Sequence, residues 1–535
     1  MKFLNKLNNW GDDRLILYVV LLIVVGVILW AEYLPLVDLP QHAGQVTALD
    51  SLIKNQGASW AEDVVVNLDT PYLLGYSLIL LLYQFVSINV AINIIVAFSL
   101  VLFIYAANQL RKSYSAPSIV NWIAIPSFLG FAYEWGFVTF ILATPIGMLF
   151  YLLNKSWVDS KKTKYLLYIA CVGILLYFSH ILVFAFFCYF SYFYFLLSSI
   201  FQKNGDEYSL RFPNAKHFFI FTSLYLFFAG LLLRYVSKED ILIKSYGAID
   251  GYPTDVITFS GFLQKTNELL TFPWISNIVN PVINSWYLLG IGVLLLILPA
   301  FMGYKPRKSF RYYFPVGAFL LMWFMLPDRA FNTSFIYQRY ASLFLILYYL
   351  IWVKSEHAFV KQDEKRGWRV SKVFFVGLII LLVGKTVFNT ISFNLDQDTK
   401  DYNAITTNVK SGSKIAYFPD IDQRTSRKTL SSLNYIYFPV WYQAKNNGWT
   451  DFNFAWFLPQ IVRFKMDRVP EVTARVYPFA PENIINLKGC ASYDYLLLKT
   501  TTPDYIINSA VTNSSCYGNK LILTRSGNWL LLGSN

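Results

Sequence analysis

Long apolar runs separated by short polar loops occupy the first three quarters of the chain. Each run can be compared with the ~20 residues that a helix needs to cross a bilayer. The twelve runs cover roughly 15–34, 71–87, 89–109, 118–133, 136–153, 165–180, 182–201, 217–236, 286–303, 312–326, 338–353 and 372–391. This pattern predicts an α-helical, polytopic integral membrane protein.

The loops between these runs carry most of the basic residues. Five loops are rich in Lys and Arg, at 111–112, 155–164, 203–216, 305–311 and 354–372. Short loops with this bias stay on the cytoplasmic side of a membrane. With the N-terminus inside, two crossings between residues 71 and 109 would place all five basic loops outside. We therefore predict that one of these two runs, 71–87, does not cross the membrane. The prediction is a membrane domain over 1–391 with eleven crossings, an internal N-terminus and an external C-terminus.

The predicted external side collects the long segments of the chain. They are a first loop at 36–88, a large loop at about 237–285, a short one at 327–337, and the tail at 392–535. In the tail, strand-like runs over Leu521–Thr524 and Trp529–Leu532 flank a Gly-Asn pair, which predicts a β-hairpin. The tail is long enough for a core of its own. We predict a soluble, extracytoplasmic α/β domain.

Composition supports the membrane class and narrows the function. The chain is 56% hydrophobic and 14% charged, whereas soluble domains carry about 25% charged residues. The net charge of +13 sits in the short loops and does not indicate nucleic-acid binding. No phosphate-binding G-x-x-x-x-G-K-[ST] motif occurs. Of the four cysteines, Cys490 and Cys516 lie in the polar tail, where an oxidising compartment would allow a disulfide.

Acidic residues and histidines converge on the predicted external face. Asp38 lies directly after the first apolar run, and His42 follows one helical turn later. Glu134 and His180 fall at the next two external turns. A carboxylate and an imidazole so placed could act as base and orienter or ligate a divalent cation. The structural alternatives are a helix cap and an interfacial histidine for Asp38 and His42, and turn residues wetted by interfacial water for Glu134 and His180.

Basic residues on the same face are candidates for anion binding. Arg329 belongs to the short loop before the eleventh run, and Arg339 lies at the external entrance of that run. Arg234 ends the run before the large loop, and Lys385 lies in the outer half of the last run. Arginine binds phosphate oxygens in a bidentate manner, and lysine acts as a point charge. For each of these residues contact with lipid head groups is the alternative, above all for Arg234 and Lys385.

These features resemble the GT-C superfamily of membrane glycosyltransferases, which includes the protein mannosyltransferases and the aminoarabinose transferases of lipid A. Asp38 opens a long first external loop, Pro71-Tyr72 leads out of that loop, and a large later loop and an external C-terminal domain follow. The Asp-Leu-Pro-Gln-His string at 38–42 is also similar to bacterial membrane proteins grouped near these enzymes. The resemblance implies a bacterial inner or plasma membrane location.

The resemblance also implies a reaction. Such enzymes move a sugar from a polyprenyl-phosphate carrier to a glycan, lipid or protein acceptor on the external face. The family's first-loop acid is the general base, which here is Asp38, with Glu134 in the second external loop. Arg339 and Arg329 are implied as phosphate ligands. Many members carry two adjacent acids in the first loop, whereas Leu39 follows Asp38, which disfavours a metal unless His42 replaces the missing ligand.

Two other classes of function stay open on the sequence. One is a transporter or flippase for polysaccharide or lipid, which would place polar residues through the depth of the helices. The other is a non-catalytic anchor that presents its C-terminal domain to partners. The first hypothesis, a glycosyltransferase, is favoured because the ionisable residues gather near the external helix ends.

Overall fold

The computed structural model describes residues 10–204, 207–210, 214–247, 257–275, 285–331, 333–354, 362–419, 432–469, 485, 493–514 and 517–534. Most of these residues are helical. Before residue 400 the helices are α1 (Trp10–Trp30), α2 (Leu39–Ile53), α3 (Leu73–Tyr83), α4 (Ile88–Ser113), α5 (Ile119–Phe128), α6 (Phe131–Trp135), α7 (Val138–Ser160), α8 (Lys164–Tyr177), α9 (Ile181–Ile200), α10 (Ala215–Gly247), α11 (Phe262–Thr271), α12 (Ser285–Phe301), α13 (Phe314–Met325), α14 (Ala341–Tyr349), α15 (Gln362–Leu395) and α16 (Gln397–Thr406). Later in the chain follow α17 (Val440–Asn446) and α18 (Asp504–Thr512).

Five of the described helices are long and apolar enough to cross a membrane. They are α4, α7, α9, α10 and the apolar part of α15 from Val370 to Leu395. Shorter apolar helices accompany them, among them α1, α8, α12 and α13. Helix α3, in the run that we predict does not cross, has 11 residues, fewer than the ~20 that a crossing requires. The membrane class predicted from the apolar runs is therefore supported by the helices that form there.

Short strands join neighbouring loops of the helical part. They are β1 (Val64–Val66), β2 (Phe201–Asn204), β3 (Glu207–Leu210), β4 (Tyr304–Pro306), β5 (Arg329–Ala330), β6 (Thr333–Ser334) and β7 (Trp352–Lys354). Strands β2 and β3, β4 and β7, and β5 and β6 form antiparallel pairs. The β5–β6 hairpin precedes Arg339 and lies between α13 and α14.

The C-terminal region contains a five-stranded sheet. Its strands are β8 (Lys414–Pro419), β9 (Trp449–Thr450), β11 (Tyr495–Lys499), β12 (Leu521–Ser526) and β13 (Trp529–Gly533), in the order β12-β13-β11-β8-β9. β8 runs parallel to β11 and β9, whereas β13 is antiparallel to β11 and β12. The predicted hairpin is confirmed, with Gly527 at a φ of +54° in its turn, a conformation that glycine adopts without strain.

The two faces of this sheet have different partners. Leu496 and Leu498 point into a small core of their own with α18, whereas Leu497 between them joins the core that continues into the helical part. Alternate strand residues point to opposite faces of a sheet, so one sheet covers both cores. The tail is thus an α/β unit with its own core, as its length predicts, and it is also packed against the rest of the protein.

The first loop and the C-terminal region are joined through the polypeptide backbone. β1 pairs in antiparallel register with β10 (Val462–Phe464), so the two regions share a small sheet. Helix α2 packs against α17, and a Cβ atom on Gly44 would lie 2.6 Å from Val440 Cγ1. Only a residue without a side chain permits this approach. The C-terminal region is therefore packed tightly against the first loop.

Candidate functional site

Asp38 is held at the start of α2 by the last residues of α6. Its backbone N–H donates to the carbonyl of Trp135 at 2.8 Å, and Val37 donates to Glu134 in the same way. Between these segments Gly136 has a φ of +86°, and a Cβ atom there would lie 3.1 Å from the backbone nitrogen of Asp38. Both the backbone angle and the close approach require glycine. Backbone contacts with the end of α6 and with Gly136 therefore fix the position from which the Asp38 side chain extends.

Four of the residues singled out in the sequence line one cavity of about 200 Å³. They are Asp38, His42, His180 and Arg339. Tyr72, from the Pro-Tyr segment of the first loop, lines it as well. Because these residues come from four separate stretches of the helical part, their meeting is a product of the tertiary fold. The convergence that the sequence suggested is present for these four residues.

Burial changes the acid–base properties of the cavity. It raises the pKa of the Asp38 carboxyl to about 7, and the Arg339 guanidinium and a hydrogen bond from the Trp135 side chain oppose this rise only in part. Burial and the charge of Arg339 lower the pKa of His42 to about 3, so its imidazole is neutral. A carboxyl group with a pKa near the working pH has the property that a general base needs.

His42 and His180 are fixed in different ways. His42 Nδ1 lies 3.0 Å from the Tyr76 hydroxyl, which donates to Gln460 Oε1 at 2.5 Å. His180 lies just before α9, and its Nδ1 accepts a hydrogen bond at 3.2 Å from the backbone N–H of Leu182 in the first turn of that helix. Burial lowers the pKa of His180 well below its usual value. A neutral imidazole that accepts at Nδ1 carries its proton on Nε2, so His180 can donate a hydrogen bond from that nitrogen.

Arg339 is the cation of the cavity. Its guanidinium lies 3.7 Å from the centre of the Phe137 ring, and one terminal nitrogen donates to the carbonyl of Ser334 at 2.9 Å. Its Nε is buried without a hydrogen-bond partner among the described residues. A buried donor without an acceptor carries an energetic cost of about 1–3 kcal/mol. Other atoms of Arg339 line the cavity, where the guanidinium charge favours an anionic ligand.

The loop that carries Arg339 is anchored by an ionisable pair that the sequence did not reveal. Lys265, which is 2% exposed, donates to the carbonyl of Phe324 at 3.0 Å in the last turn of α13 and to that of Leu326 at 2.6 Å just beyond it. Glu268 on the same helix accepts a hydrogen bond from the Tyr337 hydroxyl at 2.5 Å. Charged side chains near a helix end satisfy its free carbonyl groups. These contacts fix the polypeptide on both sides of the β5–β6 hairpin.

The remaining candidates lie away from the cavity lining. Glu134 forms an ion pair with Lys385 at 2.6 Å, so two predicted site residues bind each other. Arg234 forms an exposed ion pair with Asp69 at 2.7 Å. Arg329 lies in β5, whose hairpin contributes other residues to the cavity. Cys490 and Cys516 are outside the described residues, whereas Cys171 and Cys188 in α8 and α9 are free thiols.

Two groups of cavity residues were missed by sequence reasoning. Glu239 lines the cavity and is 4% exposed, but it lies inside α10, beyond the apolar run that was read there. The C-terminal region supplies a wall with the aromatic residues Tyr437, Phe452, Phe454 and Phe457 and with Gln460. The local sequence pattern gives no sign that these residues contact the cavity, because they are far from Asp38 in the sequence.

The wall is attached to α2 by amide side chains on the helix that follows Asp38. Gln41 accepts from the backbone N–H of Phe454 at 2.9 Å, and Gln45 both donates to and accepts from the backbone of Val462, at 3.0 and 2.9 Å. Buried amides need partners, and here the partners are backbone groups of the C-terminal region.

The described residues contain no group of three or more His, Cys, Asp or Glu side chains that could hold a metal ion. The divalent cation considered for Asp38 and His42 therefore has no third ligand of these types within the part of the chain that the structure covers. No protein-family model matches the chain, and no curated protein matches its sequence. The arrangement of the site is thus the basis for a functional assignment.

Proposed function

We propose that the protein is a membrane glycosyltransferase of the GT-C type. It takes a sugar from a polyprenyl-phosphate carrier and transfers it to an acceptor hydroxyl on the external face of the membrane. The observation that carries this proposal is that Asp38 and Arg339 line one cavity although they are distant in sequence. A base and a phosphate-binding cation are the two groups that this reaction needs.

In the proposed reaction each charge has a defined task. The ionised Asp38 carboxylate takes the proton of the acceptor hydroxyl as its oxygen bonds to the anomeric carbon of the sugar. The bond from that carbon to the phosphate oxygen breaks, and its electron pair leaves with the polyprenyl phosphate. Arg339 binds the phosphate and stabilises the charge that develops there. Attack opposite the leaving group inverts the anomeric configuration.

Neutral histidines suit the same cavity. His180 can donate from Nε2 to a phosphate or sugar oxygen without adding a charge that would compete with Arg339. Glu239 supplies a second carboxylate that can accept hydrogen bonds from hydroxyl groups. The aromatic side chains of the C-terminal wall offer apolar faces against which a sugar ring can pack. Together these groups favour a carbohydrate ligand with an anionic group at one end.

The membrane orientation is part of the proposal. With the basic loops on the cytoplasmic side, the N-terminus is internal, the chain crosses eleven times, and the cavity and the C-terminal region are external. A cysteine-labelling experiment with an impermeant maleimide on intact cells tests this arrangement. Labelling of a cysteine at Lys400 and protection of one at Lys155 are expected. The reverse pattern would overturn the orientation.

The test of function is sugar transfer by the purified protein in lipid vesicles. Labelled hexoses and pentoses on polyprenyl phosphate are supplied with membrane extracts as acceptor, and Asp38→Asn is compared with the unmodified chain. Asp240→Asn is the matched control, because Asp240 lies beside Glu239 but forms an exposed pair with Lys244. We expect transfer by the unmodified chain and the control, and a loss of about 10²-fold or more in Asp38→Asn. Transfer at an unchanged rate by Asp38→Asn would remove Asp38 as the base.

A further inference from the structure

Helix α11 has its charged residues inside and large apolar residues outside. Lys265 and Glu268 are buried, whereas Phe262 and Leu263 are 68% and 83% exposed. In a protein surrounded by water, the charged side of such a helix would face the solvent. The arrangement is stable here because the buried charges have partners, three backbone carbonyls for Lys265 and the Tyr337 hydroxyl for Glu268.

The exposed residues of α11 belong to a larger apolar patch. It consists of Ile257, Phe259, Phe262, Leu263 and Met325, each at least 60% exposed. Phe262 stacks on Phe324 at 5.1 Å between ring centres, which connects α11 to the end of α13. Soluble proteins rarely expose large apolar side chains together in this way without a partner. The patch therefore indicates a surface that is covered in the native environment.

The neighbours of the patch indicate what covers it. Helix α13 is apolar along its whole length, and Leu321 and Met325 on it are exposed. Helix α12 has exposed Val293 and Ile297 and is likewise apolar throughout. Helices that are apolar and exposed in this way face the hydrocarbon of a bilayer. The patch continues this surface from the end of α13 onto α11.

The patch also approaches the cavity. Thr258, between Ile257 and Phe259, exchanges backbone hydrogen bonds with the β5–β6 hairpin, donating to Arg329 and accepting from Asp328. Two residues further along the hairpin, Phe331 is 44% exposed and also lines the cavity. The patch and the cavity therefore share one structural element.

We propose that α11 and the segment before it lie in the hydrocarbon layer of the membrane, with acyl chains of bilayer lipids covering the apolar patch. The segment is then an inserted part of the large loop, fixed to the end of α13 by Lys265. Phe331, which lines the cavity and is partly exposed, then lies next to lipid. This proposal concerns the position of a surface, and it holds or fails independently of the transferase function.

The test measures which medium surrounds the patch. A nitroxide is attached to a cysteine at Leu263 in a protein whose four native cysteines are replaced by serine. The protein is reconstituted in vesicles of phosphatidylethanolamine and phosphatidylglycerol. Electron paramagnetic resonance then compares collisions with oxygen, which concentrates in hydrocarbon, and with a water-soluble nickel chelate. Labels at Leu381 on α15 and at Lys400 on α16, both exposed, give the lipid and water references.

We expect the label at Leu263 to match Leu381, with frequent oxygen collisions and several-fold fewer nickel collisions than Lys400. Frequent nickel collisions would show that water covers the patch and would overturn the proposal. Low accessibility to both reagents would show that protein covers it, such as a second copy of the chain, and would overturn the proposal too. An unchanged thermal unfolding midpoint in each labelled variant confirms that the fold is intact.

Discussion

Asp38 and Glu134 are two buried acids on neighbouring turns, and their surroundings differ in one respect. Glu134 has a lysine at 2.6 Å, and the pair lies outside the cavity lining. Asp38 faces the cavity, where Arg339 influences its pKa without a direct ion pair among the described residues. A carboxylate paired with a lysine stabilises the fold, whereas a carboxylate whose pKa is raised by burial can accept a proton. The comparison separates an acid that connects helices from an acid that can react.

The largest effect is expected from breaking the Glu134–Lys385 pair. Glu134→Gln alone leaves a lysine without its partner in a largely buried position, and such changes cost about 3–5 kcal/mol. The double variant Glu134→Gln with Lys385→Met removes both charges and is expected to recover most of the loss. Thermal and denaturant unfolding in detergent measure both. If the double variant were as unstable as the single one, the pairing would not be the source of the stability.

Asp38→Asn is expected to do the opposite and stabilise the fold. Because burial raises the folded-state pKa of Asp38 to about 7 from an ordinary value of 3.8, ionised Asp38 favours the unfolded chain. The gain from asparagine is small below about pH 4, grows as pH rises toward 7, and is constant above that, reaching at most about 4 kcal/mol. Unfolding midpoints of both proteins across this range provide the measurement. A gain that shrinks as pH rises would contradict the raised pKa.

Arg339→Lys tests the cation that faces Asp38. Lysine keeps the charge but loses the planar group that binds phosphate with two hydrogen bonds and packs on Phe137. A loss of about 1.5–3 kcal/mol in donor binding is expected, seen as a higher KM for the polyprenyl-phosphate sugar. Arg234→Lys, in an exposed ion pair, is the control and should leave the KM unchanged. Equal KM values in both variants would argue against a phosphate at Arg339.

The smallest effect is expected at Gly136. Alanine there must adopt a φ of +86° and places a Cβ atom 3.1 Å from the Asp38 backbone nitrogen. The strain is about 1–3 kcal/mol, and part of it displaces the carboxyl group, so kcat should fall while the KM for the donor changes little. Gly230→Ala, where a Cβ meets open space, is the matched control. A fall confined to stability, with kcat retained, would show that Gly136 does not position Asp38.

Sequence pattern was informative where it depended on short stretches of chain. The lengths of apolar runs indicated a membrane protein, and two strand-like runs on either side of Gly527 and Asn528 indicated the hairpin of β12 and β13. The position of Asp38 at the end of the first run, followed by Pro40 and His42, located the first side of the cavity. These signals are local because helix length, turn chemistry and the first turn of a helix are local properties.

What the sequence could not provide depends on contacts between distant segments. Glu134 and His180 had the same pattern, a polar residue at a turn predicted to be external, yet of the two only His180 lines the cavity. The partner that distinguishes them, Lys385, lies on a helix far along the chain. Phe452 and Gln460 gave no sign of a role in the site, because aromatic and amide residues are common in any core. Side-chain pairing and wall residues of this kind are determined by tertiary packing.

The most direct test of the central claim is the pH dependence of sugar transfer at low substrate concentration. If Asp38 is the base, kcat/KM of the unmodified protein should rise with pH and level off, with an apparent pKa of about 7. The residual rate of Asp38→Asn should not show this rise, whereas Asp240→Asn should retain it. The same rise persisting in Asp38→Asn would show that another group accepts the proton and would contradict the account.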